Sequence, residues 1–326
     1  VFYSPGSVNT VLGHTRQIRE KLHKDDEYFI AEMGAYGLGS IQRLCDFIGP
    51  SIGIITSIGN AHYERFKSLE TVAEAKSELG FDALKHPEGR AYLHDSIMIY
   101  EPFQRMKREF GDRVIVCGSE EDSEFKLLSQ STGLEGVTIT AAYKGETDTY
   151  VLPLLGEHNV GNLVLIIAFL RDEGFSAETI ALVLKSMPQI QHRLERKEAG
   201  YTLLDDAYNS NPTGFKSALQ ALDALGSEKG GRRILVTPGM AELGAQHDAQ
   251  HAEIAKVAAV SCDIVLPVRP DRIPTFVEGL KGSDAEVIEV GSFDAARRWL
   301  TKNAGPQDVV LLENDLPDLL ETKRFL

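Results

Sequence analysis

Short apolar runs alternate along almost the whole chain with longer segments whose apolar residues recur at helical spacing. In the first half the strand-like runs are Tyr28–Ala31, Ile52–Ser57, Ala91–His94 and Val114–Cys117. Gly136–Ala142 and Thr149–Leu154 alternate apolar and polar positions around Lys144-Gly145-Glu146, the pattern of an antiparallel pair and its turn. A helix entered through Ser68 or Thr71 carries Val72, Leu79 and Ala83 on one stripe. A second is expected from Asn159 to Glu173, closed by Gly174, and a third from Ser176 to about Ser186. Met187–Gln191 reads as a linker.

After the linker a fresh alternation begins. Strands are expected at Thr202–Asp205, Arg233–Val236, Asp263–Val268, Glu286–Val290 and Asp308–Leu312, and helices at Pro212–Leu225, His247–Val260, Ile273–Leu280 and Phe293–Lys302. Glu228-Lys229-Gly230-Gly231 reads as a surface loop. Strands alternating with helices of this length imply βαβ units and parallel sheets. The expected fold class is therefore α/β, as two three-layer doubly wound domains, residues 1–190 and 191–326.

Composition narrows the function more than the fold. The 326 residues carry 34 Lys and Arg against 48 Asp and Glu, a net charge of −14. So acidic a chain is a poor generic binder of nucleic acid or anionic membrane, so no nucleic-acid partner is expected. Cys45, Cys117 and Cys262 are far apart and form no metal-binding pair; they fit buried thiols in a reducing cytosol. No apolar stretch approaches the roughly 20 residues of a membrane span, and Val1-Phe2-Tyr3-Ser4 lacks the basic start of a signal peptide. The expected location is cytoplasmic. The missing initiator Met suggests a piece of a longer protein.

Polar residues just past strand ends are where open α/β sheets build sites. Glu32 follows an apolar run and suits a magnesium ligand, since Mg²⁺ prefers oxygen and keeps several waters; a turn or helix-capping glutamate is the alternative. His62, after Gly59-Asn60-Ala61, can ligate a metal, touch phosphate or serve structure. Lys76 falls inside its helix's apolar stripe, so it must snorkel, pair or lose charge. A neutral lysine amine can also take up CO₂ to become a carbamate, an anionic oxygen ligand. Asn159 and Asn162, at a helix start, can cap the helix or offer an amide edge to a base. Arg193, at the linker, suits a phosphate or ribose contact or an ion pair. Asp206 and Asn209 sit in a polar string between a strand and Pro212, a good first helical residue. His247 and His251 share a helix face, but Asp248 stands where a zinc-protease motif needs Glu, so a metal site is not expected there.

Taken in order, these segments resemble the Mur ligase superfamily of ATP-dependent amide-bond ligases. The resemblance is carried by Glu32-Met33-Gly34, Thr56-Ser57-Ile58-Gly59-Asn60-Ala61-His62, Ala75-Lys76-Ser77-Glu78 and Gly156-Glu157-His158-Asn159-Val160-Gly161-Asn162. His192-Arg193-Leu194-Glu195 and Asp205-Asp206-Ala207-Tyr208-Asn209-Ser210-Asn211-Pro212 continue it. It implies a P-loop-type ATPase central domain, here N-terminally truncated, and a Rossmann-like C-terminal domain. It further implies ATP and Mg²⁺ as cofactors. Glu32 and His62 would be magnesium ligands, with Lys76 as the carbamylated lysine. Asn159 and Asn162 would face the adenine, while Arg193, Asp206 and Asn209 would come to the nucleotide from the C-terminal domain. The implied reaction is phosphorylation of a carboxylate to an acyl phosphate, then attack by an amine. The branch resembled joins D-alanyl-D-alanine to a UDP-MurNAc-peptide in cell-wall precursor synthesis.

Two departures stand out. The family's phosphate loop, G-x-x-G-K-[ST], should precede Ser4-Pro5-Gly6 and is not in the chain, so these 326 residues alone are not expected to complete catalysis. The family's Gly-Asp-Met reads here Thr237-Pro238-Gly239-Met240, and its Lys-Gly-Ser turn reads Glu313-Asn314-Asp315. Folylpolyglutamate- or cyanophycin-type ligation, and a non-catalytic nucleotide-binding homologue, are the alternatives.

Overall fold

A computed structural model of the protein describes residues 1–6, 8–59, 66–208, 210–241 and 243–314. They form two compact units, each discontinuous in sequence. One comprises Val1–Leu128, Ala141–Thr147 and Gly161–Phe175; the other comprises Ser129–Thr140, Asp148–Val160 and the chain from Ser176 onward.

In the first unit β1 (Phe2–Tyr3) and β2 (Phe29–Ile30) pair in parallel, joined by α1 (Val11–Lys21). Then come α2 (Ser40–Ile48), β3 (Ile52–Ile55), α3 (Leu69–Ala83), β4 (Arg90–His94), α4 (Glu101–Phe110) and β5 (Val114–Gly118). Ser68 caps α3 by accepting the Thr71 N–H, the first of the two expected entry points. Glu78, two residues beyond Lys76 in α3, accepts the N–H groups of Gly39 (2.6 Å) and Gln42 (2.8 Å). Its carboxylate thus satisfies the orphan donors at the start of α2, which has no side-chain cap of its own.

β3 to β5 lead into β6 (Phe125–Gly133), β7 (Gly136–Tyr143) and β8 (Glu146–Leu152), giving the six-stranded order β3-β4-β5-β6-β7-β8. The ladder is parallel as far as β6. The next strands follow through two-residue turns, which only antiparallel neighbours allow. Lys144 and Gly145 both have positive φ (49° and 83°), the type I′ geometry that matches strand twist. On one sheet face Leu93 and Val114 pack with Phe103 and Met106; on the other Tyr92 meets Phe169 of α5 (Glu157–Asp172) edge-on at 5.8 Å. Asp172 ends α5 and accepts the hydroxyls of Tyr92 and Tyr143, both at 2.8 Å, and the Lys144 ammonium at 2.6 Å.

The second unit adds α6 (Ala177–Lys185), β9 (Glu195–Glu198), β10 (Thr202–Asp206), α7 (Pro212–Lys229), β11 (Arg233–Thr237) and α8 (His247–Ser261). It ends with β12 (Ile264–Pro267), α9 (Pro274–Gly279), β13 (Glu286–Val287), α10 (Phe293–Asn303) and β14 (Val309–Glu313). Its sheet runs β13-β12-β11-β14-β10-β9, all parallel except β9 against β10. Residues of α7, α8 and α9 share one core with Leu204, Leu235 and Leu311; α10 covers the other face over Leu203, Val236 and Val310. β14 returns between β10 and β11, so strand order reverses there, the place where such sheets bind ligands.

Several boundaries differ from the sequence reading. β6 and β9 were not expected at all. α5 starts at Glu157, so Asn159 lies inside the helix rather than capping it. α7 continues through Glu228 and Lys229, and Gly230 (φ +65°) closes it, so the loop there is shorter. β13 stops at Val287, and Val290 meets Val268 only through an isolated bridge. Among the described residues no helix is long and apolar enough to cross a membrane.

Candidate active site

Glu32 stands two residues past β2, exposed, with its backbone held from two sides. Its N–H donates to the Ser4 hydroxyl (3.3 Å), and its carbonyl accepts from His14 Nε2 (2.8 Å). A carbonyl only accepts, so His14 carries its proton on Nε2. His14 is fully buried in α1 against Phe29, and its Nδ1 has no hydrogen-bond partner among the described residues. The Glu32 carboxylate accepts from Asn9 Nδ2 at 3.4 Å; Tyr36 donates to Asn9 Oδ1 at 2.9 Å, and the Asn9 carbonyl accepts the Gly34 N–H. Asn9, His14 and Tyr36 escaped the sequence reading because none lies at an apolar strand end.

Lys76 is half-buried on α3 beside Val72, Ala75 and Leu79, as its place in the stripe requires. Its Nζ donates to the Ser57 carbonyl at 2.7 Å, just past β3. No carboxylate pairs with it among the described residues, and burial pulls its ammonium below the usual lysine value. His62 lies outside the described residues, as does Asn209.

Asn159 is buried, and its side-chain amide donates back to the Leu155 carbonyl at 2.6 Å, so that proton is not on offer to a ligand. Asn162, three residues on, is exposed. His94, at the end of β4, was also missed. Its Nε2 lies so close to Gly161 that a Cβ there would come within 2.9 Å of it; its Nδ1 is engaged by Ser96 at 2.8 Å.

In the second unit the segment 192–194 turns back on itself, with positive φ at His192 (56°) and Leu194 (51°). This exposes Arg193, whose guanidinium lies 4.5 Å from the ring centre of Tyr208. The Leu194 N–H donates to Asp206 at 3.1 Å. Asp205 and Asp206 leave opposite faces of β10. Asp205 is fully buried and neutralised: His192 Nδ1 and Lys197 Nζ each approach it at 2.7 Å. His192, Glu195 and Asp205 are close enough to hold a cation, and Lys197 already supplies one. Asp206 has no such ion pair among the described residues. Burial raises its carboxyl to about 6. Beside it in the ladder stands Glu313, fully buried and raised well above the carboxylate range by burial and by Asp206.

The neighbouring turn is fixed by neutral groups. The Gly239 N–H donates to Thr237 Oγ1 (2.9 Å), the Met240 N–H to His251 Nε2 (2.9 Å), and Asn314 Nδ2 to the Gly239 carbonyl (2.7 Å). His251 Nδ1 donates to the His247 carbonyl, so both its nitrogens are spent and no metal site forms with His247.

Residues 1–170 match the Mur ligase middle domain, and residues 192–313 the Mur ligase glutamate ligase domain. The chain is 31% identical to the UDP-N-acetylmuramoyl-tripeptide–D-alanyl-D-alanine ligase of Bacillus subtilis over 78% of its own length and 52% of that protein's. It is 28% identical to the enzyme of the same name from Mycobacterium tuberculosis, over 95% and 64% respectively. It therefore spans about half to two thirds of these relatives' length. Among solved structures, MurF from Acinetobacter baumannii superposes with a TM-score of 0.76 at 22% identity, covering 96% of this chain and 67% of that one. MurF ligase from Thermotoga maritima, in complex with ADP, does so with the same TM-score and identity, covering 96% and 69%. Over most of its length, in both sequence and fold, the chain belongs to the Mur ligase family.

Proposed function

We propose that this chain supplies the central and C-terminal domains, residues 1–190 and 191–326, of an ATP-dependent carboxylate–amine ligase of peptidoglycan precursor synthesis. The reaction is the one in its relatives' names, joining D-alanyl-D-alanine to a UDP-MurNAc-tripeptide; the proposed route is through an acyl phosphate. Lys76 carries the reading. A desolvated lysine whose partner is a carbonyl rather than a carboxylate is poorly explained as an ion pair, and its lowered proton affinity favours the free amine. That amine can add CO₂, losing one proton, to become a carbamate whose single negative charge is shared by two oxygens.

The donor set fits Mg²⁺, a hard cation that takes oxygen ligands: the Glu32 carboxylate is exposed at a strand end and oriented by Asn9, and the Lys76 carbamate adds a second. His62 completes the proposed ligands. Bound there, magnesium would neutralise charge developing on the transferring phosphoryl group. The chain's own residues do the rest. Glu32 is held at its post by His14 and Ser4. Asn159 and Asn162 face the base, with His94 bordering Gly161. Arg193, presented on the Tyr208 ring, and Asp206 contact the nucleotide, and Asn209 is the further residue proposed for that role. Excluding water there protects the acyl phosphate from hydrolysis.

The test uses the full-length protein with UDP-MurNAc-tripeptide and ATP. The expected result is phosphate release that depends on D-alanyl-D-alanine. Release supported only by glutamate or aspartate would point to a folylpolyglutamate- or cyanophycin-type ligase. No release with any of these amines would leave a nucleotide-binding homologue.

A further inference from the structure

Asp206 and Glu313 are register partners at the ends of β10 and β14. Their side chains leave the sheet on the same face, that of Leu204 and Leu311, which α7 covers. Glu313 Oε1 accepts the Ser210 hydroxyl, but Oε2 is buried with no donor among the described residues. The carboxyl beside it in the ladder is that of Asp206, whose negative charge raises the Glu313 carboxyl further. Asp206 is better provided: it accepts the Leu194 N–H, and Arg193 places positive charge nearby. Asp205 adds negative charge from the opposite face, where the Lys197 ammonium offsets it. No ammonium or guanidinium pairs with Glu313 among the described residues.

Two carboxylates in contact in a dry site cannot both be ionised, and one proton between them turns repulsion into a hydrogen bond. We infer that Glu313 is a positioning residue for Asp206: it keeps its proton, donates it to the Asp206 carboxylate, and so leaves Asp206 as the charged, oriented member of the pair. The proton belongs on Glu313 because it is the deeper group, whereas Asp206 has a backbone donor and a guanidinium favouring its anion. Arrival of a ligand at Asp206 then requires no new proton to leave. This consequence rests on the proposed nucleotide contact of Asp206; the proton arrangement does not.

Carboxyl-carbon NMR on the full-length protein, titrated from about pH 4 to about pH 9, tests the arrangement. Glu313 should stay protonated through neutral pH while Asp206 ionises near pH 6. Glu313→Gln keeps a donor and should leave the Asp206 midpoint within about one pH unit, whereas Glu313→Leu removes it and should raise that midpoint by about one unit or more. A Glu313 carboxyl ionising in the ordinary range overturns the inference, as does an Asp206 midpoint unmoved in Glu313→Leu. Should that variant not fold, the wild-type titration and Glu313→Gln decide. ATP affinity measured on the same samples should follow the Asp206 midpoint. Affinity flat with pH, beside the expected titration, would discard the nucleotide contact and leave the pair intact.

Discussion

Lys76 in the first unit and the Asp206–Glu313 pair in the second are ionisable groups drawn out of water near strand ends, with no opposite charge in contact among the described residues. The lysine leans on a backbone carbonyl and loses affinity for its proton. The carboxyls lean on each other and gain it. Asp205, one residue from Asp206, is settled in a third way, by the Lys197 ammonium and the His192 ring nitrogen in contact with it. The contrast separates structural charge from chemical charge. A buried group neutralised by its counter-ion is locked in place, whereas one left to adjust its proton stays open to a ligand or a reaction.

Lys76→Met should break the comparison most sharply. In the full-length protein it is expected to lower amide formation by about 10²-fold or more, yet to raise the thermal midpoint. The lysine's folded value lies below its unfolded 10.5, so the folded state is penalised at neutral pH and relieved only as pH approaches that value. Activity within a few-fold of wild type would remove Lys76 from the chemistry. Lys197→Met should do the reverse, leaving buried Asp205 with His192 alone and costing about 3 kcal/mol in urea unfolding. A change within about 0.5 kcal/mol would show that Asp205 is not held by that pair.

His251→Ala should cost about 2 kcal/mol by orphaning the buried Met240 N–H. Burial lowers the His251 value below 6.5, so its stabilisation is lost as pH falls; the variant should lack that acid sensitivity, and an unchanged profile would refute it. The smallest effect belongs to Glu313→Gln. Because the folded value is raised above 4.5, wild-type stability is full below that pH and falls as pH rises. Between about pH 5 and about pH 6 the wild type should lose about 1 kcal/mol that the variant keeps. Parallel unfolding curves for both proteins across that interval would contradict a protonated Glu313.

The α/β alternation, the Ser176 cap and the Lys144-Gly145 turn were all legible, and the start of α3 was narrowed to Ser68 or Thr71, because each depends on a local residue pattern that tertiary packing did not override. So was the awkward place of Lys76, which follows from helical spacing alone. β9 was not: Glu195-Arg196-Lys197-Glu198 has no apolar period, and only pairing with β10 makes it a strand. Glu313 reads as a turn residue at the end of an apolar run until the ladder sets it beside Asp206. Register and long-range pairing, rather than composition, decided what the site residues touch.

β9 has a further effect, on association between copies. Every one of its residues is charged, and it closes one side of the second unit's sheet, while the other side ends in the two-residue β13. A second molecule seeking to extend that sheet would have to bring its own backbone against a row of fixed charges or a stub too short to template it. The strand that is hardest to read from hydrophobicity is thus the one that guards the sheet against edge-to-edge aggregation.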